Sequence, residues 1–525
     1  MDDLDSLALA SAPAQHAPAA PGQQPGAAPG LRSGVLAGRF FGQAHAATGA
    51  ALAAFLHGSG TLLDWFGPDL PAAIRRGPDG VRDALDRDIA TLDSLISAQL
   101  DAVLHAPKVQ ALEGRWRGVH WLVSGMEPSR RVKVRLLHLT WPELCRDLER
   151  APEFDGSNLF RRIYEDEFGM PGGEPFGLLV VDHAVRHRRT PDAPTDDVGV
   201  MGLLSGVAAA AFAPVVLSAH PSLLEVDSFA DLGTVQDVAG PVRNTDHTRW
   251  RALASKPDTR FLAVTLPRIL ARLPWTDDPA RRDGWRYREF APDAASRTWM
   301  GASYAFAACV LRAFAQHGWP ADVRGVETDR VGGGLVTDVP SEPFASGPAP
   351  AWPRVGLEYR LTDRQERELV DVGLMPVSAL PYGTELVFGA VRSLQLPATY
   401  GGANAQAADA NARLSAQVNS ILCASRFAHH VKVMGRDMVG SFRTADEIQR
   451  KLNNWLQNYV NTNTTSSGDA RARFPLVAGE AEVREKPGKP GVFGCVVRLQ
   501  PHHQLDDVSA TFSLVTEFAP PGNPR

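Results

Sequence analysis

Apolar residues recur along this chain at two different periods, and the change of period marks its elements. From Val81 to His105, the residues Leu85, Ile89, Leu92, Ile96, Leu100 and Val103 recur at four- and three-residue steps, a narrow helical stripe of the coiled-coil kind. Asp83, Asp86, Asp88, Asp93 and Asp101 line the other positions, and Pro107 stops the helix. Such a stripe either faces an ordinary core or seats helices of another chain. The helical period returns from Asn411 to Met434, where Leu414, Val418, Ile421, Leu422, Phe427, Val431 and Met434 predict one long helix. After Gly440, Thr444 and Glu447 have the spacing of a capping box, ahead of Ile448, Leu452, Trp455, Leu456 and Tyr459 on one face. Two amphipathic helices joined by a short turn need a large surface to bury against, so Leu361–Val460 belongs to the core of a big domain.

The two-residue period predicts strands. Arg131–Thr140 alternates like a half-buried strand, followed by a helix from Trp141 to Leu148 with Pro142 in its first turn. Phe176–Val181 and Phe261–Leu266 are short apolar runs, as fully buried strands are. Helices such as Ser296–His317 lie between such runs, so the fold class is mixed α/β. Pro340–Pro353 is Pro-rich and polar, a surface loop, and Ser33–Gly42 is apolar enough for a short strand or an anchoring arm. The C-terminal part is β-rich. Ala481–Arg484 and Val492–Leu499 flank the turn Pro487-Gly488-Lys489-Pro490-Gly491. Ser509–Phe518 then places Phe512, Leu514 and Thr516 on one face and Thr511, Ser513 and Glu517 on the other. No later chain covers its outer edge, so a partner strand is expected there.

Composition changes this picture in three places. Residues 10–34 are Ala, Pro, Gly and Gln with few large apolar groups, which predicts a disordered tail. Val198–Ala219 is uncharged over about the length a bilayer requires, but it is mostly Ala and Gly and is broken by Pro214. A buried helix to Ala213 and a strand from Val215 to Ser218 are expected, not a membrane insertion. The net charge of −5 and pI near 6.3 give no basic footprint for nucleic acid. Cys145, Cys309, Cys423 and Cys495 are isolated, and the acidic start MDDLDSLALA has no positive n-region, so a cytoplasmic, reduced protein is expected.

Candidate chemistry is thin. The chain has no HExxH, no GxxxxGK[ST] and no CxxC. Gly301-Ala302-Ser303-Tyr304-Ala305 approaches a nucleophile elbow but lacks its second glycine and sits in a helical pattern. Gly332-Gly333-Gly334 reads as a tight turn. His429-His430 point about a third of a turn apart, and His502-His503 precede a strand, so neither pair has metal geometry. Asp182-His183 with His187 ends a strand, where catalytic groups often sit. Glu165-Asp166-Glu167 reads as a solvated helix face or a pairing site for a neighbour's basic residues. No cofactor or metal site is expected, and a hydrolase built on Ser303 or His183 is the remote alternative.

Several stretches resemble, in order along the chain, the large subunit of the type VI secretion contractile sheath (TssC/VipB). They are ALEGRWRGVHWLV (Ala111–Val123), YEDEFGMPGGEPFGLLVVDH (Tyr164–His183), LPRILARLPW (Leu266–Trp275), VRGVETDRVGGGLV (Val323–Val336), LSAQVNSILCASRFAHHVKVMGRDMVGSF with LNNWLQNYV, and PHHQLDDVSATFSLV (Pro501–Val515). The resemblance implies a structural protein, not an enzyme, with a phage-tail-sheath-like α/β core. It implies a small-subunit (TssB/VipA) interface at Leu85, Ile89, Leu92, Ile96 and Leu100, and an inter-subunit strand at Thr511, Phe512, Ser513, Leu514 and Val515. The implied partners are that small subunit, copies of itself in hexameric rings, the inner tube protein, the baseplate and an AAA+ recycling ATPase acting mainly through the small subunit. A diverged paralogue that binds baseplate or sheath without forming the lattice is the nearer alternative. The expected domains are a tail at 1–34, an arm and partner-binding helix at 35–115, a sheath core at 116–440, and a C-terminal helix and exchange-strand part at 441–525.

Overall fold

A computed structural model describes residues 30–518, apart from 41, 59, 76, 127–130, 171, 279, 281–284, 327–329, 345–351, 382, 402–404, 439–443, 464–467, 486–492 and 503–511. The expected tail at 1–34 lies outside the described residues up to residue 29, and its end is not a tail, since 31–34 are helical; the turn at 487–491 also lies outside the described residues. The chain forms two compact units, one of residues 1–101 with 276–288, the other of residues 102–275 with 289–525.

The smaller unit is helical. Ser33–Gly42 is not a strand: Leu31–Leu36 is helical, and Gly34 lets it close on Thr48 of the helix Ala46–His57, where any Cβ would lie 2.6 Å from the threonine methyl. The helix α1, Gly77–Leu104, is the longest in the described chain and runs close to the span that the apolar stripe predicts. Its buried face is Gly80, Ala84 and Asp88, at four-residue steps. Asp88 thus departs from the polar face expected of it. Arg32 reaches it with both Nε (2.7 Å) and an Nη (2.8 Å), and Trp65 donates its indole N–H at 2.9 Å. Burial pushes the Asp88 carboxyl up, but these hydrogen bonds and the Arg32 charge outweigh it and hold the pKa below the ordinary range.

In the larger unit, the helix α2, Pro107–Ser124, carries Gly114 and Gly118 four residues apart. A Cβ there would stand 2.2 Å from the Trp299 carbonyl and 2.6 Å from the Tyr304 ring, so only glycine permits this approach. The sheet that organises the unit follows. Strand β1, Leu179–Val185, leads through helix α3, Asp197–Ala211, to β2, Val215–Ala219. β3 is Leu262–Leu266, and helix α4, Ala302–His317, precedes the short β4, Met375–Pro376. The order is β1-β2-β3-β4 and every pair is parallel. A parallel sheet is covered on both faces, and alternate residues divide accordingly. Val215, Leu217, Leu262, Val264 and Leu266 enter one core with α3, while Val216 and Ala263 enter another with α4. The stretch 198–219 is therefore a buried helix and strand, turned at Phe212 in the left-handed region ahead of Pro214.

Four further expectations need correction. Arg131–Thr140 joins no described sheet; Val134, Leu136, Leu137 and Leu139 are exposed, and a strand there has no partner to pair with. Ser296–His317 becomes helical only at Ala302, because Trp299–Met300 pairs with Ile269–Leu270. Pro340–Pro353 contains a paired hairpin, Glu342–Phe344 with Trp352–Arg354. The helix expected over Asn411–Met434 is two, Ala405–Ser415 and α5, Val418–Met438. The break falls where Ser393 N–H donates to Ala416 O (2.9 Å) and Val418 N–H to Val391 O (3.0 Å), diverting backbone groups from the helix.

After α5 comes α6, Ala445–Gln457, with the Thr444/Glu447 capping box formed as the sequence predicts. Ile448, Leu452 and Leu456 bury against an antiparallel sheet of β5 (Leu476–Glu485), β6 (Phe493–Pro501) and β7 (Phe512–Phe518), in that order. Trp319 stacks on Phe427 in the same core at 4.3 Å. Among the described residues no helix is long and apolar enough to cross a membrane.

Candidate functional site

The residues that sequence reasoning flags for chemistry are occupied with structural work. Asp197 accepts from Trp141 Nε1 (2.8 Å), Thr195 Oγ1 (2.9 Å) and Arg186 N–H (3.0 Å), with His183 Nε2 at 3.0 Å. Trp141 stacks on the His183 imidazole at 4.0 Å, so the ring is clamped between a carboxylate and an indole. Burial raises the Asp197 carboxyl, but the hydrogen bond and charge of His183 outweigh it and the pKa is lowered. His187 stacks on His247 at 3.9 Å, and burial pushes it down to about 4. It is a neutral packing group at ordinary pH.

Ser303 is fully buried in the first turn of α4 and receives a hydrogen bond from Ser218 at 3.2 Å, with no histidine described as its partner. A nucleophile needs a base within reach and a path for substrate. Ser303 has neither among the described residues. Gly332–Gly334 forms the expected turn: Gly333 has φ +61° and donates its N–H to Asp322 at 3.0 Å. His429 lies with Nε2 3.0 Å from the Ala211 carbonyl, while His430 contacts Trp319 and Trp455. His502 lies between β6 and β7 and so precedes a strand as expected, and His503 lies outside the described residues. The acidic run is not wholly solvated either, since Glu167 is buried, pairs with Arg135 and accepts the Glu174 N–H at 2.7 Å. No group of three or more potential metal-ligating side chains stands together among the described residues.

What remains unspent is surface. On α1, Leu85, Leu92 and Leu100 are half-buried, whereas Ile89 is 50% and Ile96 48% exposed. Leu95 and Val103 are exposed as well. An isolated exposed leucine needs no explanation, but a row along one helix does. In the C-terminal sheet, Phe512, Ser513, Leu514 and Val515 lie in β7 at the sheet edge, and Thr511 lies outside the described residues. β7 pairs with β6 of its own chain, from Leu499↔Phe512 to Phe493↔Phe518.

The comparisons with known proteins place the chain in a family. Residues 86–395 match the family described as EvpB/VC_A0108, tail sheath N-terminal domain, and residues 407–518 its tail sheath gpW/gp25-like domain. The type VI secretion system sheath protein TssC1 of Pseudomonas aeruginosa is 33% identical over 440 residues, covering 83% of this chain and 86% of that relative. A cryo-EM structure of the anti-feeding prophage baseplate is similar at a TM-score of 0.34 and 11% identity, over 72% of this chain and 80% of that one. That likeness is too weak to carry an argument. With matches that jointly span residues 86–518 and a sheath relative over most of its length, the chain belongs to the EvpB/VC_A0108 tail sheath family, the large subunits of the type VI secretion sheath.

Proposed function

We propose that this chain is a structural subunit that polymerises with the small sheath subunit (TssB/VipA) around an inner tube and contracts to drive the tube outward. In this reading α1 holds the small subunit through Leu85, Ile89, Leu92, Ile96 and Leu100, and β7 takes part in a sheet shared between neighbouring copies. The subunits stack as hexameric rings on a baseplate in the cytoplasm, and an AAA+ ATPase recycles the contracted sheath mainly through the small subunit. Contraction requires two packings of the same subunits, the contracted one lower in free energy. The working division is an N-terminal partner-binding part, a core, and a C-terminal exchange part.

The observation that carries this reading is the half-exposure of Ile89 and Ile96 on an otherwise well-formed helix. Residues that the chain's own core does not claim can be changed without unfolding it. Completing the burial of one isoleucine contributes a share of the roughly 1.5–3 kcal/mol that full burial is worth, and a carboxylate buried there unpaired costs more. Ile89→Asp with Ile96→Asp is therefore expected to abolish co-purification with the small subunit while melting within a few degrees of wild type. A folded double variant that still co-purifies would remove α1 as the interface, and global unfolding would make the stripe a core face.

A further inference from the structure

A sheet edge presents free N–H and C=O groups to any chain that can pair with them, so a protein that offers one edge to a partner must blunt the other. The C-terminal sheet has two edges, β5 and β7. At β5 several outward backbone groups are already taken. Leu476 N–H donates to Tyr459 O at 3.1 Å, and Asn461 N–H donates to Leu476 O at 2.8 Å, a short parallel bridge. Beyond it α6 takes over with three amide side chains at four-residue spacing, Gln449, Asn453 and Gln457, which places them on one helix face.

Gln457 Nε2 donates to Gly479 O at 3.3 Å. Asn453 commits both ends of its amide to Ala481, donating from Nδ2 to the carbonyl at 3.0 Å and accepting the N–H at Oδ1 at 2.7 Å. Gln449 Oε1 accepts the Val483 N–H at 2.9 Å. A side-chain amide carries a donor and an acceptor like a peptide group, so this row gives Gly479 O, both groups of Ala481 and the Val483 N–H the partners that a fourth strand would offer them. Ala481 is aligned with Val497 on β6 while its own N–H and C=O point away to Asn453, as in a non-hydrogen-bonded antiparallel pair. At β7 no described strand or amide row lies along the side away from β6.

We propose that Gln449, Asn453 and Gln457 form an amide ladder that closes the β5 edge and makes β7 the one edge at which a β-strand of another sheath subunit joins. The proposal rests on the strand-sharing reading given above and adds a direction to it. Were both edges open, sheets of different subunits could add at either side and the polymer could branch. With one edge sealed by side chains, strand addition runs one way.

The test replaces all three amides, Gln449→Ala/Asn453→Ala/Gln457→Ala, in the full chain co-expressed with the small sheath subunit. Ile448, Leu452 and Leu456, which bury α6, stay untouched. Hydrogen–deuterium exchange by mass spectrometry is expected to rise at least tenfold across 479–483 while β6 stays protected. Sedimentation velocity is expected to show concentration-dependent self-association that persists when Leu514→Pro is added, because it proceeds through β5. Unchanged exchange and a single sedimenting species would overturn the ladder. If the variant loses α6 altogether, the wild type decides: Ala481 and Val483 N–H must exchange as slowly as strand-paired amides, and exchange at free-edge rates overturns the proposal. Normal sheaths from Leu514→Pro alone would remove strand sharing while leaving the β5 result standing, so the two failures are distinguishable.

Discussion

The parallel sheet and the helix α1 are built from the same kinds of side chain and end in opposite conditions. Every residue of β2 and β3 is buried, with alternate side chains claimed by cores on the two faces of the sheet. On α1 the only buried positions are Gly80, Ala84 and Asp88, and the large aliphatic residues range from half-buried to exposed. Apolar periodicity alone therefore does not say whether a surface is spent within its own chain. What distinguishes the two regions is which face the chain covers. In α1 the small residues and a hydrogen-bonded aspartate meet the chain's own helices, and the bulky stripe is the remainder.

This contrast can be broken most severely in the sheet. Val264 is fully buried in the middle of β3. Val264→Asp places a carboxylate without a partner in an apolar core, expected to cost on the order of 4 kcal/mol or more and to leave the chain insoluble or without a cooperative thermal transition. A soluble variant with a wild-type melt would mean the sheet is not the organising core. The corresponding aspartates on α1 are expected to change binding, not folding.

A smaller effect is expected at β7. Proline has no N–H to give a ladder, and each backbone hydrogen bond nets about 0.5–1.5 kcal/mol. Leu514, aligned with Val497, is the residue to change. Leu514→Pro is expected to leave the heterodimer with the small subunit intact and to remove long sheaths from electron micrographs, since a polymer repeats the lost link at every subunit. Loss of the heterodimer itself would instead assign β7 wholly to its own chain's core.

The smallest effect is that of pH on the core. Burial lowers His187, His220 and His430 to about 4 and His429 to about 3. In the unfolded chain these rings titrate near 6.5, so between about 6.5 and 4 the unfolded state binds protons that the folded state refuses. The stability is fully present above about pH 6.5 and is lost as the pH falls toward 4. A Tm lower by several degrees at pH 5.0 than at pH 7.5 is expected. An unchanged Tm would mean that these rings are not held neutral in the fold. The helix α1 contains no histidine and carries none of this dependence.

Much of the fold was legible because its signals were local. The Thr444/Glu447 box forms, the helix at Trp141 starts as its Pro142 suggests, and Pro214 separates α3 from β2. What was not legible depends on residues far apart in sequence. Nothing near Asp88 announces that Arg32 and Trp65 will bury it. The break at Ala416–Gln417 is made by the backbone of Val391–Ser393, and the amide row of α6 has meaning only once β5 lies beside it. Arg131–Thr140 shows the converse case. Its alternation is a strand's, yet it pairs with no described strand; Lys133 is held by Glu174, Arg135 by Glu167, and four apolar residues stay exposed. Of the candidate site, the helix that carries the apolar row was legible, because its period is written in the local sequence.

The most direct measurement is hydrogen–deuterium exchange of the full chain, alone and in complex with the small sheath subunit. The account predicts that protection is gained over Arg82–Val103, where the chain leaves its own apolar stripe open, and that β2 and β3 are equally protected in both states. No gain in α1, with protection appearing elsewhere on the larger unit, would contradict it.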